Sequence, residues 1–382
     1  MTRGDVAEVA HLSSAMTRKC LAANIPADGQ KSIIICPQGI PATNEGKAEI
    51  LMEHIRAVKA VDGGVIFGPD MENDEDVLDI IARGGELRDY VTGLSTGCGG
   101  LSIDKKGYTG IGLADAIERA VEAQQLRSVR ATIQGYGAVG AHVSLPLSRM
   151  GVIIKAVSNQ FGVLVAHTDE GIDVKALFEL RSEVGDAALK AYAEENASRV
   201  KFISDREVLL RVPCDLFVPA ARTSVLARAD ELNHARDENP HVKTAEEFLT
   251  DTGVRLVAEG ANYPLTKAAE KHLESNGVFI LPDIIVNCGG LIGCYLEWLW
   301  RRQQSSIDSL SELDRRSKEQ IKAIVGRNVE FILRNKALGA REASHRIIEE
   351  NLSALQKGNV PDLYSMKPNP TRDDSNDKFV EP

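Results

Sequence analysis

The sequence predicts an α/β fold in which a smaller α/β domain precedes a larger domain built on a parallel sheet. Three observations carry that expectation. Short apolar strand patterns alternate with helical stretches from Arg130 onward. A glycine-rich turn, Gly135-Tyr136-Gly137-Ala138-Val139-Gly140, stands between a strand pattern and a helical one. Two further apolar runs, 31–36 and 64–67, lie among helical patterns upstream. A chain of 382 residues is long enough for two domains around separate cores.

Residues 5–23 read as a helix, because Val9, Leu12 and Met16 recur on one face. Lys19 continues that stripe, either as a stem lying along the core with its ammonium in solvent or as a charge aimed into a pocket. Taken alone, the first reading is preferred. A turn over 24–30 leads into the strand 31–36, which puts Lys31 at a strand mouth beside Gly29. The strand 64–67 ends in Gly68-Pro69-Asp70-Met71, where Pro69 restricts the backbone next to Asp70. An isolated Asp70 reads best as the cap of the helix that Glu75, Val77, Leu78, Ile80 and Ile81 suggest.

In the larger domain, the strand 130–134, the glycine turn, a helix and the strand 152–157 follow one another. That order lifts Gly135, Gly137 and Gly140 above a chance match and marks a Rossmann-like dinucleotide-binding unit, with Ala138 and Val139 inside its turn. Such glycines let backbone approach a pyrophosphate at a helix N-terminus, where unpaired amides attract negative charge. Pro146 is expected to kink or shorten the helix. The acid expected about 20 residues beyond the glycines is absent. Asn159 stands near that place, after Ser158, with Lys155 earlier. The expected cofactor is therefore NAD or NADP, with a slight preference for NAD. Strands over 215–218, 255–258 and 278–281 complete the parallel sheet, and ligands gather at the C-terminal ends of such strands. Asn262 and Asn287 sit beyond strand ends, where turn formation and ligand binding are even readings. A long helix over 312–334, a stop at Gly339 and a last helix over 342–355 close the pattern, and a mobile tail is expected from Gly358.

Several stretches fall in register with one family. MTRKCLAANIPADGQKSIII, GPDM, Tyr108-Thr109-Gly110-Ile111-Gly112, IQGYGAVG, CDLFVPAA, VAEGANYPLT, and LPDIIVNCGG followed by YLEW resemble the glutamate, leucine, phenylalanine and valine dehydrogenases, in order across nearly all of 7–302. The resemblance implies reversible NAD(P)-dependent oxidative deamination of an L-amino acid, either glutamate or a branched-chain or apolar one, to the 2-oxo acid and ammonia. It implies that Lys19 pairs the substrate carboxylate, that Lys31 activates water and polarises the developing oxyanion, and that Asp70 shuttles protons to and from the nitrogen. A lysine acts as a base near neutral pH when burial and a neighbouring cation depress its pKa, and Lys19 would be that cation. The resemblance also implies Ala220, Asn262 and Asn287 around the nicotinamide, with Thr109 bonding its carboxamide or a neighbouring group. Gly68, Leu291 and Cys294 fall where relatives sense the substrate side chain, with Asn287 close by. Gly68 and Leu291 suit an apolar amino acid, YLEW and EGAN are closer to the glutamate branch, and Cys294 replaces a serine that glutamate enzymes present.

Two departures from the family support a second reading. The sequence begins at the helix that in relatives follows an N-terminal strand, and Asp28-Gly29-Gln30 replaces small residues before the lysine. A dinucleotide-binding homologue with impaired catalysis and a regulatory or structural role is the alternative; the retained Lys19, Lys31 and Asp70 favour the enzyme. A hydroxy-acid dehydrogenase ranks last, because this sequence does not present the histidine and arginine that such chemistry would use near the cofactor. The expected domains are 1–114 with the C-terminal helix 339–357 for substrate, 115–338 for dinucleotide, and 358–382 as a flexible tail. A homo-oligomer is expected, with the family's hexamer or octamer weakened by the late start. The formal charge of −10 argues against nucleic acid or anionic membrane as a partner. No apolar run is long enough to span a bilayer and no secretory pattern opens the chain, so a cytoplasmic location is expected. Six cysteines show neither metal spacing nor the density of a disulfide scaffold.

Overall fold

The computed structural model describes residues 6–36, 39–61, 64–70, 73–239, 241–302 and 307–359. Asp5, Met71 and residues 360–382 of the expected tail lie outside the described residues. Helix α1 (Val6–Ala22) forms where the apolar stripe predicts it, and α2 (Asn44–Val61) and α3 (Glu75–Arg83) follow. The cap of α3 is Asp74, whose carboxylate accepts from the amides of Asp76 and Val77. Capping is therefore not the task of Asp70. Leu51 and Ile55 of α2 pack with Val77, Leu78 and Ile81 of α3 and with Leu94 in a core of their own.

The two strands expected in this region do not form. Residues 31–36 are irregular, with Ile33, Ile34 and Ile35 exposed, and 64–67 contributes one bridge, Phe67 to Val91. An apolar run becomes a strand only when a neighbour completes its backbone hydrogen bonds, and among the described residues no strand element precedes Arg130. The smaller region is thus helical where a small α/β unit was expected.

The larger region runs α4 (Tyr108–Ala123), β1 (Arg130–Gln134), α5 (Ala138–Arg149), β2 (Ile153–Asn159), β3 (Gly162–Ala166), α6 (Val174–Val184), α7 (Ala188–Glu195), β4 (Val200–Ile203) and β5 (Leu216–Pro219). It continues through β6 (Leu226–Ala227), α8 (Leu232–Glu238), β7 (Lys243–Thr244), α9 (Ala245–Thr252), β8 (Leu256–Ala258), α10 (Lys267–Ser275) and β9 (Phe279–Leu281). Helices α11 (Asp283–Val286), α12 (Gly289–Arg301), α13 (Leu310–Arg334) and α14 (Ala340–Gln356) follow. The main sheet has the order β4-β3-β2-β1-β5-β8-β9. Its strands β2, β1, β5, β8 and β9 are mutually parallel, whereas β3 is antiparallel to both β2 and β4. The wholly parallel sheet expected from sequence is corrected at that edge, for a local reason. Gln160 and Phe161 make a two-residue turn between the paired Asn159 and Gly162, which sends the chain straight back as a hairpin.

Ile133, Leu216, Phe217, Val218, Leu256 and Val257 are buried in the sheet's centre, where helices cover both faces. Each such side chain contributes about 1.5–3 kcal/mol relative to exposure. Helix α5 continues past Pro146 to Arg149, so the proline does not shorten it. Helix α14 lies against α1, and Asn351 Nδ2 donates to the Leu21 carbonyl at 2.7 Å. Strands β2 and β5 flank β1 on opposite sides, which opens a crevice at their C-terminal ends. No described helix is long and apolar enough to cross a membrane.

Candidate active site

The glycine turn closes because two of its residues admit no side chain. Gly135 has φ +91°, and a Cβ on Gly140 would lie 1.8 Å from the Gly135 carbonyl oxygen. Gly137 differs: it caps α5 without a side-chain hydrogen bond, and a Cβ there would meet nothing within 4 Å. Open space therefore faces the first-turn amides of Ala138 and Val139, a cradle that fits a pyrophosphate. The small residues after β5 are fixed by the same crowding. A Cβ on Gly135 would come 2.8 Å from that of Ala221, and one on Gly260 3.0 Å from that of Ala220. Arg181 of α6 donates from Nε to the Tyr136 carbonyl at 2.8 Å, which steadies the turn from the other side. Asn159 ends β2 with both ends of its amide used: Oδ1 accepts from Phe161 N at 2.9 Å, and Nδ2 donates to the Asp186 carbonyl at 2.7 Å. Lys155 donates to the Thr168 carbonyl at 2.6 Å.

Lys19 does not snorkel. It is 8% exposed, and its Nζ donates to Asn262 Oδ1 at 2.5 Å. Asn287 Nδ2 donates to the same oxygen at 3.1 Å, so both asparagines join the lysine rather than merely forming turns. The Asn287 Oδ1 is buried without a hydrogen-bond partner, an unused acceptor on a side chain that joins this group. Burial pushes the Lys19 pKa down, against the opposing pull of Asp283, Cys288 and Cys20.

Helix α1 also positions Lys31, in place of the missing strand. Lys31 N donates to Ser13 Oγ at 3.0 Å and Gly29 N to Thr17 Oγ1 at 3.0 Å. A Cβ on Gly29 would fall 2.1 Å from Thr17 N, so only glycine lets the loop lie this close to the helix. The Lys31 ammonium pairs with the Asp70 carboxylate, with the two side chains 25% and 46% exposed. Burial, and then the charge of Lys19, lowers the Lys31 pKa from 10.5. The charge of Lys19 adds to a shift that burial begins.

Gly68 faces α12, where a Cβ on it would sit 3.9 Å from Cys294 Sγ. Thr92 Oγ1 donates to the Cys294 carbonyl at 2.7 Å. Buried Glu297 accepts from the amides of Gly93, Leu94 and Leu101 at 2.9, 3.2 and 2.8 Å, which ties this wall to α12. The only sequence signal for Glu297 is its place in YLEW. Leu291 is half-buried near the start of the same helix. Thr109 lies against Gly290, where a Cβ would come 2.9 Å from its Oγ1, and the Tyr108 carbonyl would come 2.3 Å from a Cβ on Gly289. The glycine pair thus exists for the close approach of α12 to α4.

Residues 99–351 match the family described as Glutamate/Leucine/Phenylalanine/Valine dehydrogenase. The chain belongs to that family. The dehydrogenase is 30% identical over 364 residues to the glutamate dehydrogenase of Aeropyrum pernix, covering 92% of this chain and 79% of that relative. It is 27% identical over 329 residues to the NAD-specific glutamate dehydrogenase of Staphylococcus aureus, covering 84% and 72%. With the NADP-specific glutamate dehydrogenase of Saccharolobus shibatae it shares 31% over 209 residues, covering 54% and 43%. Its fold superposes on the hetero-hexameric glutamate dehydrogenase of Thermus thermophilus with a TM-score of 0.71 at 22% identity, covering 94% and 80%. The dehydrogenase is therefore an NAD(P)-dependent oxidoreductase of amino acids, from a group whose members use either coenzyme.

Proposed function

We propose that this dehydrogenase deaminates an L-amino acid reversibly to the 2-oxo acid and ammonia, with Lys31 and Asp70 as catalytic residues and Lys19 as the carboxylate anchor. The observation that carries the reading is the pair of lysines: one buried on Asn262, the other joined to Asp70 with its pKa lowered by burial and then by the charge of the first. A bound nicotinamide would supply the acceptor for the hydride on the substrate α-carbon. The chain's own groups do the rest. Lys19 holds the α-carboxylate by charge and hydrogen bond. Asp70 accepts a proton from the substrate ammonium and returns one to the departing nitrogen. Lys31, in its neutral form, removes a proton from the water that adds to the imine carbon, then steadies the oxygen as an ammonium. Ala220, Asn262, Asn287 and Thr109 would line the nicotinamide end, and Gly135 to Gly140 would hold the pyrophosphate.

The apolar and sulfur atoms of Gly68, Leu291 and Cys294 support an apolar substrate side chain over the glutamate carboxylate. Initial rates of NAD and NADP reduction with glutamate, leucine, valine and phenylalanine test both halves of the proposal. Turnover of an aliphatic amino acid supports it, exclusive use of glutamate overturns the pocket assignment, and silence with all four in protein that binds dinucleotide overturns the reaction.

Replacing Gly68 by alanine places a methyl in ordinary contact with Cys294 and Thr92, so the fold is expected to tolerate it. The largest accepted side chain should lose the most kcat/KM, by about tenfold per methylene-sized clash. An unchanged substrate ranking would remove Gly68 from the pocket. Lys19→Met should raise the amino-acid KM by about 10- to 100-fold, the worth of a charge-assisted hydrogen bond. It should also move the rising limb of kcat/KM to higher pH. The base form of Lys31 appears as pH climbs through its pKa, and removing the neighbouring charge lets that pKa rise. A limb that stays in place would show that Lys19 does not act on Lys31.

A further inference from the structure

The acid that a dinucleotide-binding unit ordinarily carries at the end of its second strand is missing from β2, where Asn159 and Gln160 stand instead. The fold brings a carboxylate to that place from elsewhere. Asp186 belongs to a single helical turn, Gly185–Ala187, between α6 and α7. Its main-chain carbonyl accepts from Asn159 Nδ2 at 2.7 Å, and its carboxylate accepts from Gln160 Nε2 at 2.8 Å. Two amides at the end of β2 thus hold an acid that lies far along the chain from the glycine turn.

Its surroundings suit an adenosine. Phe161, next after Gln160, is 58% exposed, and Val184, two residues before Asp186, is 44% exposed, so two large apolar side chains close in sequence to this contact are open to a ligand. Two basic side chains of the adjoining elements are engaged: Arg181 donates through Nε to the Tyr136 carbonyl, and Lys155 donates to the Thr168 carbonyl. A pyrophosphate seated at Gly137 leaves the adenosine half of a dinucleotide to run over the end of β2, beside Tyr136, whose amide donates to the Ser158 carbonyl at 2.7 Å.

We infer that Asp186 is a coenzyme-specificity residue: its carboxylate accepts the ribose 2′-hydroxyl of NAD and repels the 2′-phosphate of NADP, with Phe161 and Val184 flanking the adenine. This rests on the dinucleotide reading of the glycine turn. A free hydroxyl donates one hydrogen bond to a carboxylate, whereas a phosphate there is mostly dianionic at neutral pH and brings a second anion against it.

Direct binding separates the two claims. NADH and NADPH are titrated into the wild-type protein and into Asp186→Asn, followed by nicotinamide fluorescence, with ADP-ribose and its 2′-phosphate as competitors to isolate the adenosine half. The wild type should bind NADH and ADP-ribose more tightly than the phosphorylated partners by at least about tenfold. Asp186→Asn keeps the main-chain contact to Asn159 and an acceptor for Gln160, and should shrink that ratio to within about threefold, chiefly by tightening the phosphorylated ligands. The melting temperature should not move, since the side chain is exposed. Equal wild-type affinities, or the same ratio in the variant, overturn the role of Asp186 while leaving the dinucleotide site standing. Absence of binding for every ligand overturns the dinucleotide reading, and this inference with it.

Discussion

Lys31→Ala lowers turnover by about 10²–10⁴-fold while the affinity for reduced dinucleotide stays at its wild-type value. Two features of the site set that expectation. The side chain lies against Asp70, away from the Gly137 cradle, so its loss leaves the cofactor's contacts intact. The backbone of Lys31 is held to Ser13 of α1 through its amide, a contact that alanine preserves. Only the amine is removed, and with it the base for the added water. Pre-steady-state hydride transfer should fall less than steady-state turnover if the hydration step carries the loss. Asp70→Asn is the companion test: it keeps a similar shape but cannot take up the proton of the substrate ammonium, and a nearly normal rate would end its assignment. Parallel loss of turnover and dinucleotide affinity in Lys31→Ala would point to a disturbed fold in place of a missing base. The pH profile supplies an independent check. Because the Lys31 pKa lies below 10.5, the wild-type rate should rise through a limb below that pH, and the limb should vanish in the variant.

The parts of this site that are legible in sequence are those whose meaning is local. The glycine turn declares itself through strand, turn, helix and strand within one stretch of chain, and at Gly135 and Gly140 the backbone leaves no place for a side chain. Lys19 breaks an apolar stripe, which marks it as unusual but leaves its destination open. Its partner Asn262 lies 243 residues away, and nothing in the helix pattern points there. The run 31–36 shows the opposite failure. Its composition is that of a strand, yet pairing depends on a neighbour supplied from outside the run. The hairpin after β2 is not legible in sequence because Asn159 to Gly162 lacks the commonest turn dipeptides, although the two-residue spacing is present. Asp186 carries no signal of its own, since an acid in a helical turn ordinarily belongs to a solvated face.

Arg341→Met should destabilise the protein by about 3–5 kcal/mol, the cost of leaving buried carboxylates without their cation. Arg341, at the start of α14, donates to Asp283 at 2.7 Å and to Glu259 at 2.9 Å, and pairs with Glu270 as well. The side chains of Glu259 and Asp283 are fully buried and that of Glu270 nearly so. Burial alone drives all three toward protonation. It still holds Glu259 and Glu270 above the usual carboxylate range, whereas at Asp283 it is outweighed by Arg341 and then by Lys19. Asp283 therefore links the C-terminal helix electrostatically to Lys19, and its Oδ2 also accepts from Tyr263 N at 2.9 Å, just past Asn262. The sign of the pH dependence tells an electrostatic loss from a packing loss. In the variant the carboxylates must take up protons on folding, while the unfolded chain at neutral pH holds them ionised. The folded state then binds more protons, so the stability deficit should shrink as pH falls from 8 toward about 5.5 and grow as it rises. Urea melts of wild type and variant at those two pH values measure it. A deficit independent of pH would assign the loss to packing of the methionine, and a deficit under about 1 kcal/mol would mean that the carboxylates find water or other partners once the arginine is gone.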